Sequence, residues 1–200
     1  FLIVVAVFAD FLSYAKPLYV EYNGQTYFPV FKDYMVDLGL SKWDPPELYN
    51  TDWKDLDDAG KLESVVWAPV PYGPNEIDLT ARLLSPGGDH YLGTDGIGRD
   101  LLAGLIHGSR ISLSVGIVAA GIAVIIGVIL GSLAGYYGGK VDLIISRFIE
   151  IMLNFPVFFL IIVIVAIYGS SIWYVMLAIG LTTWTTEARL IRGEILKVRN

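Results

Sequence analysis

Between Ile111 and Gly139 the sequence carries no charged side chain, and this run limits what the chain can fold into more than any other feature. Its first part, Ile111 to Leu133, would form a helix about 35 Å long, enough to cross a hydrocarbon layer about 30 Å thick. Within the run Ala119, Ala123, Gly127, Gly131 and Gly135 recur at every fourth position. On a helix they form one narrow stripe, and in lipid such a stripe lets a neighbouring backbone approach closely. A lone anchor has no use for it, so the spacing predicts a helix packed in a bundle.

Charge is segregated along the chain. Asp10 to Arg110 holds 16 acidic and 8 basic residues, although the whole sequence is 54% hydrophobic. Water around one part and lipid around another produce that contrast. The net charge of −6 and the lack of a basic, aromatic-interleaved stripe argue against nucleic-acid binding. With no Cys, disulfides and thiolate metal sites are excluded. The apolar opening, Phe1 to Ala9, is too short to span alone. The end of a first membrane helix over 1–13 is favoured over a signal-peptide core, because no small-x-small cleavage site follows at Asp10-Phe11-Leu12. The chain reads as a piece of a longer protein.

Residues 14–95 read as a small water-exposed α+β domain rich in aromatics. Tyr19 to Tyr22 and Gln25 to Phe28 flank Asn23-Gly24, the pair that a type I′ hairpin turn favours. Pro45-Pro46, Pro71 to Pro74 and Pro86-Gly87-Gly88 break any long element. Trp43, Trp53 and Trp67 fit a small core, with stacking against a ligand the less common use. Over 96–109 an interfacial amphipathic helix is expected, with Leu101, Leu102, Leu105 and Ile106 on one face.

Residues 110–200 then supply membrane helices. Val141 to Tyr168 is a second candidate span whose first turns carry Asp142, Arg147 and Glu150, the last two spaced to form an ion pair near the membrane. Pro156 is expected to kink it, since a helix ending there would leave a remainder too short to span. From Ile172 a third span follows, with Thr182, Thr183, Thr185 and Thr186 around Trp184 as candidate lining of a wet pathway, or as partners of their own backbone. The tail carries Arg189, Arg192, Glu194, Lys197 and Arg199. Basic residues in the 134–147 loop and in the tail mark the cytoplasmic side, leaving 14–95 outside and 187–200 inside.

Sites for chemistry are scarce. Gly93-Thr94-Asp95-Gly96-Ile97-Gly98 lacks the Lys-Ser/Thr of a phosphate loop, so a turn with Thr94 or Asp95 capping the next helix is expected. Arg99, Asp100 and Arg110 would position that helix, or touch a peptide directly. His90 and His107 lack a clear third ligand, and no nucleophile, base and orienter can be assembled. No catalytic residue, cofactor or metal is assigned to the chain.

From His90 to Arg199 the sequence resembles the inner-membrane permease subunits of dipeptide and oligopeptide ABC importers. The resemblance rests on Gly93-Thr94-Asp95, Gly98-Arg99-Asp100, Gly108-Ser109-Arg110-Ile111-Ser112-Leu113, Gly135-Tyr136-Tyr137-Gly138-Gly139, Phe155-Pro156 and Ala188-Arg189-Leu190-Ile191-Arg192-Gly193-Glu194. The stretch from Lys16 to Val30, with the Pro-rich segment from Trp67 to Asn75, is similar to the branch that handles microcin C-like peptides. The resemblance implies a mainly α, polytopic permease fold, present in part, in the bacterial inner membrane. It implies a transport subunit rather than an enzyme, with a second permease subunit, two cytoplasmic ATPase subunits that bind ATP and Mg, and a peptide-binding protein outside. A membrane-anchored receptor or assembly protein without a pathway is the alternative.

Overall fold

The computed structural model describes residues 1–154 and 156–199. The chain is mainly helical and divides into two compact units, Phe1–Ile111 and Ser112–Asn200.

The first unit opens with two short helices, α1 (Leu2–Val7) and α2 (Ala9–Leu12), separated by a break at Phe8. Strands β1 (Tyr19–Tyr22) and β2 (Gln25–Tyr27) form the expected hairpin, with Tyr22 opposite Gln25. Asn23 and Gly24 take φ of 53° and 70°, the paired left-handed values of a type I′ turn. Helix α3 (Pro29–Asp37), a 3-10 turn at Pro46–Asn50 and α4 (Trp53–Asp58) follow. Asp52 caps α4 by accepting from the Lys54 and Asp55 amides. Strand β3 (Ser64–Val66) then pairs with β1, giving the order β2-β1-β3. Val20, Trp43, Leu48 and Trp53 make the core of this unit, and Trp67 packs against it.

Two polar networks anchor this unit. Asp33 accepts from the Trp43 indole N–H (2.8 Å) and the Tyr14 hydroxyl (3.0 Å), and pairs with Lys16 (2.8 Å). Burial and the neighbouring Asp33 carboxylate push the Tyr14 hydroxyl well above its ordinary pKa. Arg110 pairs with Asp10 (2.7 Å) and donates to the Ala6 and Val7 carbonyls, so it satisfies acceptors at the α1–α2 break.

Helix α5 runs from Leu101 to Tyr137 without interruption. No separate amphipathic helix occupies 96–109: residues 96–100 are not helical, and the rest forms the first turns of α5. Gly104 and Gly108 lower helix propensity without ending the helix, which no Pro interrupts. Its most apolar stretch has mean hydropathy 2.8, and only 17% of that stretch is buried.

In the second unit, α5 turns at Gly138 and Gly139, both at positive φ, into α6 (Gly139–Leu153). Helix α7 (Val157–Tyr168) and α8 (Ile172–Arg199) complete the unit. The expected kink at Pro156 is instead a separation of two helices. Pro156 has ψ of 111°, outside the helical range, and its carbonyl accepts from Phe159 at the start of α7. Phe155 of the Phe155-Pro156 pair lies outside the described residues. Among the described residues α5 alone is long and apolar enough to cross a membrane, and α6 with α7 passes only as a bent pair, 77° apart. Helix α8 has the length but not the hydropathy, because threonines and charged residues dilute its apolar start.

Candidate functional site

Two arrangements stand out, one within each unit. The first is the turn formed by Gly93, Thr94, Asp95, Gly98, Arg99 and Asp100. Thr94 is buried; its hydroxyl donates to the Ala81 carbonyl and accepts from the Leu84 amide (2.9 Å). The Asp95 carboxylate accepts from the Ile97 and Arg99 amides (2.9 and 3.0 Å) and from Arg99 Nε (2.8 Å). The Arg99 amide first, and the Ile97 amide next, hold its pKa below the ordinary carboxylate value. At Gly98, with φ of +82°, a Cβ would lie 1.7 Å from the Asp78 carbonyl oxygen, so no larger residue fits.

Asp100, not Thr94 or Asp95, caps α5. Its Oδ1 accepts from the Ala103 amide (2.7 Å), and its Oδ2 accepts from His90 Nδ1 (2.8 Å). The turn uses up the side chains of Thr94 and Asp95, which leaves the cap to the residue directly ahead of Leu101. Asp100 is 4% exposed, and its two donors satisfy an otherwise costly buried carboxylate. His90 also stacks on Tyr72, ring centres 4.4 Å apart. The other histidine, His107, donates from Nε2 to the Ser13 carbonyl (2.8 Å). Both imidazoles thus serve the packing of the first unit.

The second arrangement is a helix seam in the second unit. The stripe Ala119, Ala123, Gly127, Gly131 and Gly135 lies against α8. A Cβ at Gly127 would come within 2.5 Å of Glu187 Cβ, one at Gly131 within 2.5 Å of the Ala188 carbonyl oxygen, and one at Gly135 within 2.9 Å of Ile195 Cβ. From the other side, Gly180 meets Ile122 and the Ala119 carbonyl. Residue numbers rise together along the two helices, so α5 and α8 run in the same direction. Ala123, Ile149, Trp184 and Ala188 form the buried heart of the seam, and Phe148 stacks on Trp184 at 5.6 Å.

Of the four threonines, Thr182 and Thr185 are buried while Thr183 and Thr186 are exposed. Thr182 and Thr183 donate to carbonyls one turn back, at Ala178 and Ile179 (both 2.8 Å), so these two hydroxyls serve their own helix. Arg147 and Glu150 pair at 2.6 Å on the exposed face of α6. In the tail, Glu194 pairs with Lys197 (2.7 Å) and Arg189 is exposed. Sequence reasoning missed the partner of Arg192. Its guanidinium forks onto Asp142 of α6, Nη2 lying 2.6 Å from Oδ2. The only sequence signal was an acid in the first turn of α6 and a base late in α8, 50 positions apart.

An exposed apolar helix, a small-residue seam and a parallel partner helix are the features of a helix-packed membrane domain. Residues 127–200 match the family described as "Binding-protein-dependent transport system inner membrane component". The chain is 34% identical over 198 residues to the inner membrane ABC transporter permease protein YejE of Escherichia coli, covering 96% of this chain and 57% of that protein. It is 41% identical over 132 residues to the oligopeptide transport system permease protein OppC of Haemophilus influenzae, covering 66% and 42%. It is 44% identical over 140 residues to the probable D,D-dipeptide transport system permease protein DdpC of Escherichia coli, covering 69% and 47%. The chain spans about half the length of these curated relatives.

Proposed function

We propose that this chain is part of one transmembrane permease subunit of an ATP-driven importer, moving peptides across the bacterial inner membrane. The observation that carries this reading is the seam. Helix α5 leaves bulky side chains such as Ile117 and Ile125 more than 60% exposed while its glycines close on α8. In water that exposure is unfavourable, at roughly 25 cal/mol per Å²; in lipid it is not, and backbone proximity then drives helix association.

In this reading residues 14–95 lie outside, and the tail from 187 faces the cytoplasm. The chain hydrolyses nothing. A second permease subunit shares the pathway, two ATPase subunits bind ATP and Mg, and an outer binding protein delivers the peptide. Thr186, on the exposed side of α8, is available to a wet pathway. The names of the peptide permease relatives and the family of residues 127–200 support the assignment.

The test is reconstitution of the full-length subunit with its genomic partners in vesicles, scoring uptake of labelled peptides. Uptake that requires ATP and the binding protein is expected. Peptide binding without uptake under ATP would refute the proposal and favour an anchored receptor.

A further inference from the structure

We infer that Asp142 and Arg192 form a clamp that makes the start of α6 follow the end of α8, and so pass motion of the cytoplasmic tail into the helix seam. The inference rests on the importer reading. Among the described residues of the second unit, the ion pairs Arg147–Glu150 and Glu194–Lys197 each lie within one helix and are well exposed. Asp142–Arg192 instead joins two helices, is the more buried, and is bidentate. Ser146 adds a third donor to the Asp142 carboxylate (3.2 Å).

The position of Arg192 matters as much as its partner. Its carbonyl oxygen would lie 3.1 Å from a Cβ at Gly135, so its backbone abuts α5 while its side chain holds α6. Three helices therefore meet at one residue. Between α5 and α6 the chain reverses over Gly138 and Gly139, at φ of 64° and 52°, so the hairpin they form is tight. Asp142 lies in the first turn of α6, where the helix dipole favours an acid. The planar guanidinium fixes the direction between the helices as well as their distance, which a lysine ammonium cannot do. A pull on α8 beyond Arg192 is thus delivered to the α5–α6 hairpin through a directional contact.

A purely stabilising pair would lower assembly, ATP hydrolysis and uptake together when broken. A positioning pair separates them. The measurement is peptide imported per ATP hydrolysed by the full complex in vesicles, for wild type, Asp142→Asn, Arg192→Gln, Arg192→Lys and the exchange Asp142→Arg with Arg192→Asp. We expect the Asn and Gln variants to assemble and hydrolyse ATP near the wild-type rate while import per ATP falls several-fold. Arg192→Lys should be intermediate, and the exchange should recover part of the loss, limited by a base at the α6 N-terminus. An unchanged ratio in Asp142→Asn overturns the inference. So does a parallel loss of hydrolysis and uptake, or of assembly, in all the variants without recovery in the exchange. Failure of the wild-type complex to import peptide would instead remove the importer reading itself.

Discussion

Substituting alanine for glycine at two positions of the same helix should change stability in opposite directions. At Gly121 nothing lies within 4 Å of an added Cβ. There the methyl meets no neighbour, and replacing glycine in a helix stabilises by about 0.5–1 kcal/mol. At Gly131 the same methyl would sit 2.5 Å from the Ala188 carbonyl oxygen, 3.0 Å from Ile191 Cβ and 3.1 Å from Ala188 Cα. Comfortable contact is about 3.5–4.0 Å, so α8 must retreat by about 1 Å at that level. Two of the three obstructing atoms are backbone and cannot rotate away. Overpacking of this kind costs about 1–3 kcal/mol, which offsets the helical gain and leaves a net loss of up to about 2.5 kcal/mol. Gly131→Leu adds three more carbons and should part the helices altogether. The assay is equilibrium unfolding of the full-length protein in mild detergent, read by tryptophan fluorescence. Trp184 reports on the seam because it stacks on Phe148 and packs with Ala188. If Gly131→Ala proved as stabilising as Gly121→Ala, the claim that the stripe is a closed backbone contact would be wrong.

Two further expectations concern the turn ahead of α5. Asp100→Ala removes both the helix cap and the acceptor for His90, so a loss of about 2–3 kcal/mol is expected, whereas Asp100→Asn can still cap and should lose less than about 1; amide exchange over residues 101–104 would show which helix start frays. The carboxyls of Asp78 and Asp95 have pKa values held below their ordinary ones, by the Thr80 hydroxyl and amide and by the Arg99 and Ile97 amides respectively. A depressed acid stabilises the fold above its unfolded pKa, about 4, and loses that contribution as pH falls through the folded value. Exchange of the Thr80, Ile97 and Arg99 amides should therefore accelerate below about pH 4, and Asp95→Asn should flatten the response at Ile97 and Arg99 alone.

What could be read from sequence follows how local each signal is. The Asn23-Gly24 hairpin needs only its own residues, and the tryptophan core needs only large apolar side chains in a unit with few alternatives. The stripe on α5 was equally legible, because a four-residue repeat specifies a face. It does not specify what covers that face, so Gly180, Trp184 and Ala188 could not be named as its partners. The same limit hid Asp142–Arg192. The cap of α5 was misassigned for a different reason: Thr94 and Asp95 are good capping residues, but their side chains are engaged by Ala81, Leu84, Ile97 and Arg99. At Pro156 the expectation of a kinked span rested on the length needed to cross a membrane, which local backbone geometry does not have to respect.

The direction of the seam resolves what that length argument could not. Gly180 is level with Ala119, and Ile195 is level with Gly135, so α5 and α8 traverse the same distance, about 24 Å, in the same sense. The chain between them must therefore return over it. It does so in two pieces. Asp142 is held at the level of Arg192, and Phe148 lies further back against Trp184, so α6 runs opposite to α8. Helix α7 ends at Tyr168, with only residues 169–171 before α8 begins, and Tyr168 meets Tyr174 at 5.5 Å. That puts the end of α7 beside the start of α8, at the opposite end of the seam from Asp142. A re-entrant loop would instead bring α7 back to the side from which α6 began. At 15 and 12 residues, α6 and α7 are about 22 and 18 Å long, each too short by itself for a layer of about 30 Å. For the importer proposed above, the parallel packing of α5 and α8 favours a single broken crossing over a re-entrant loop.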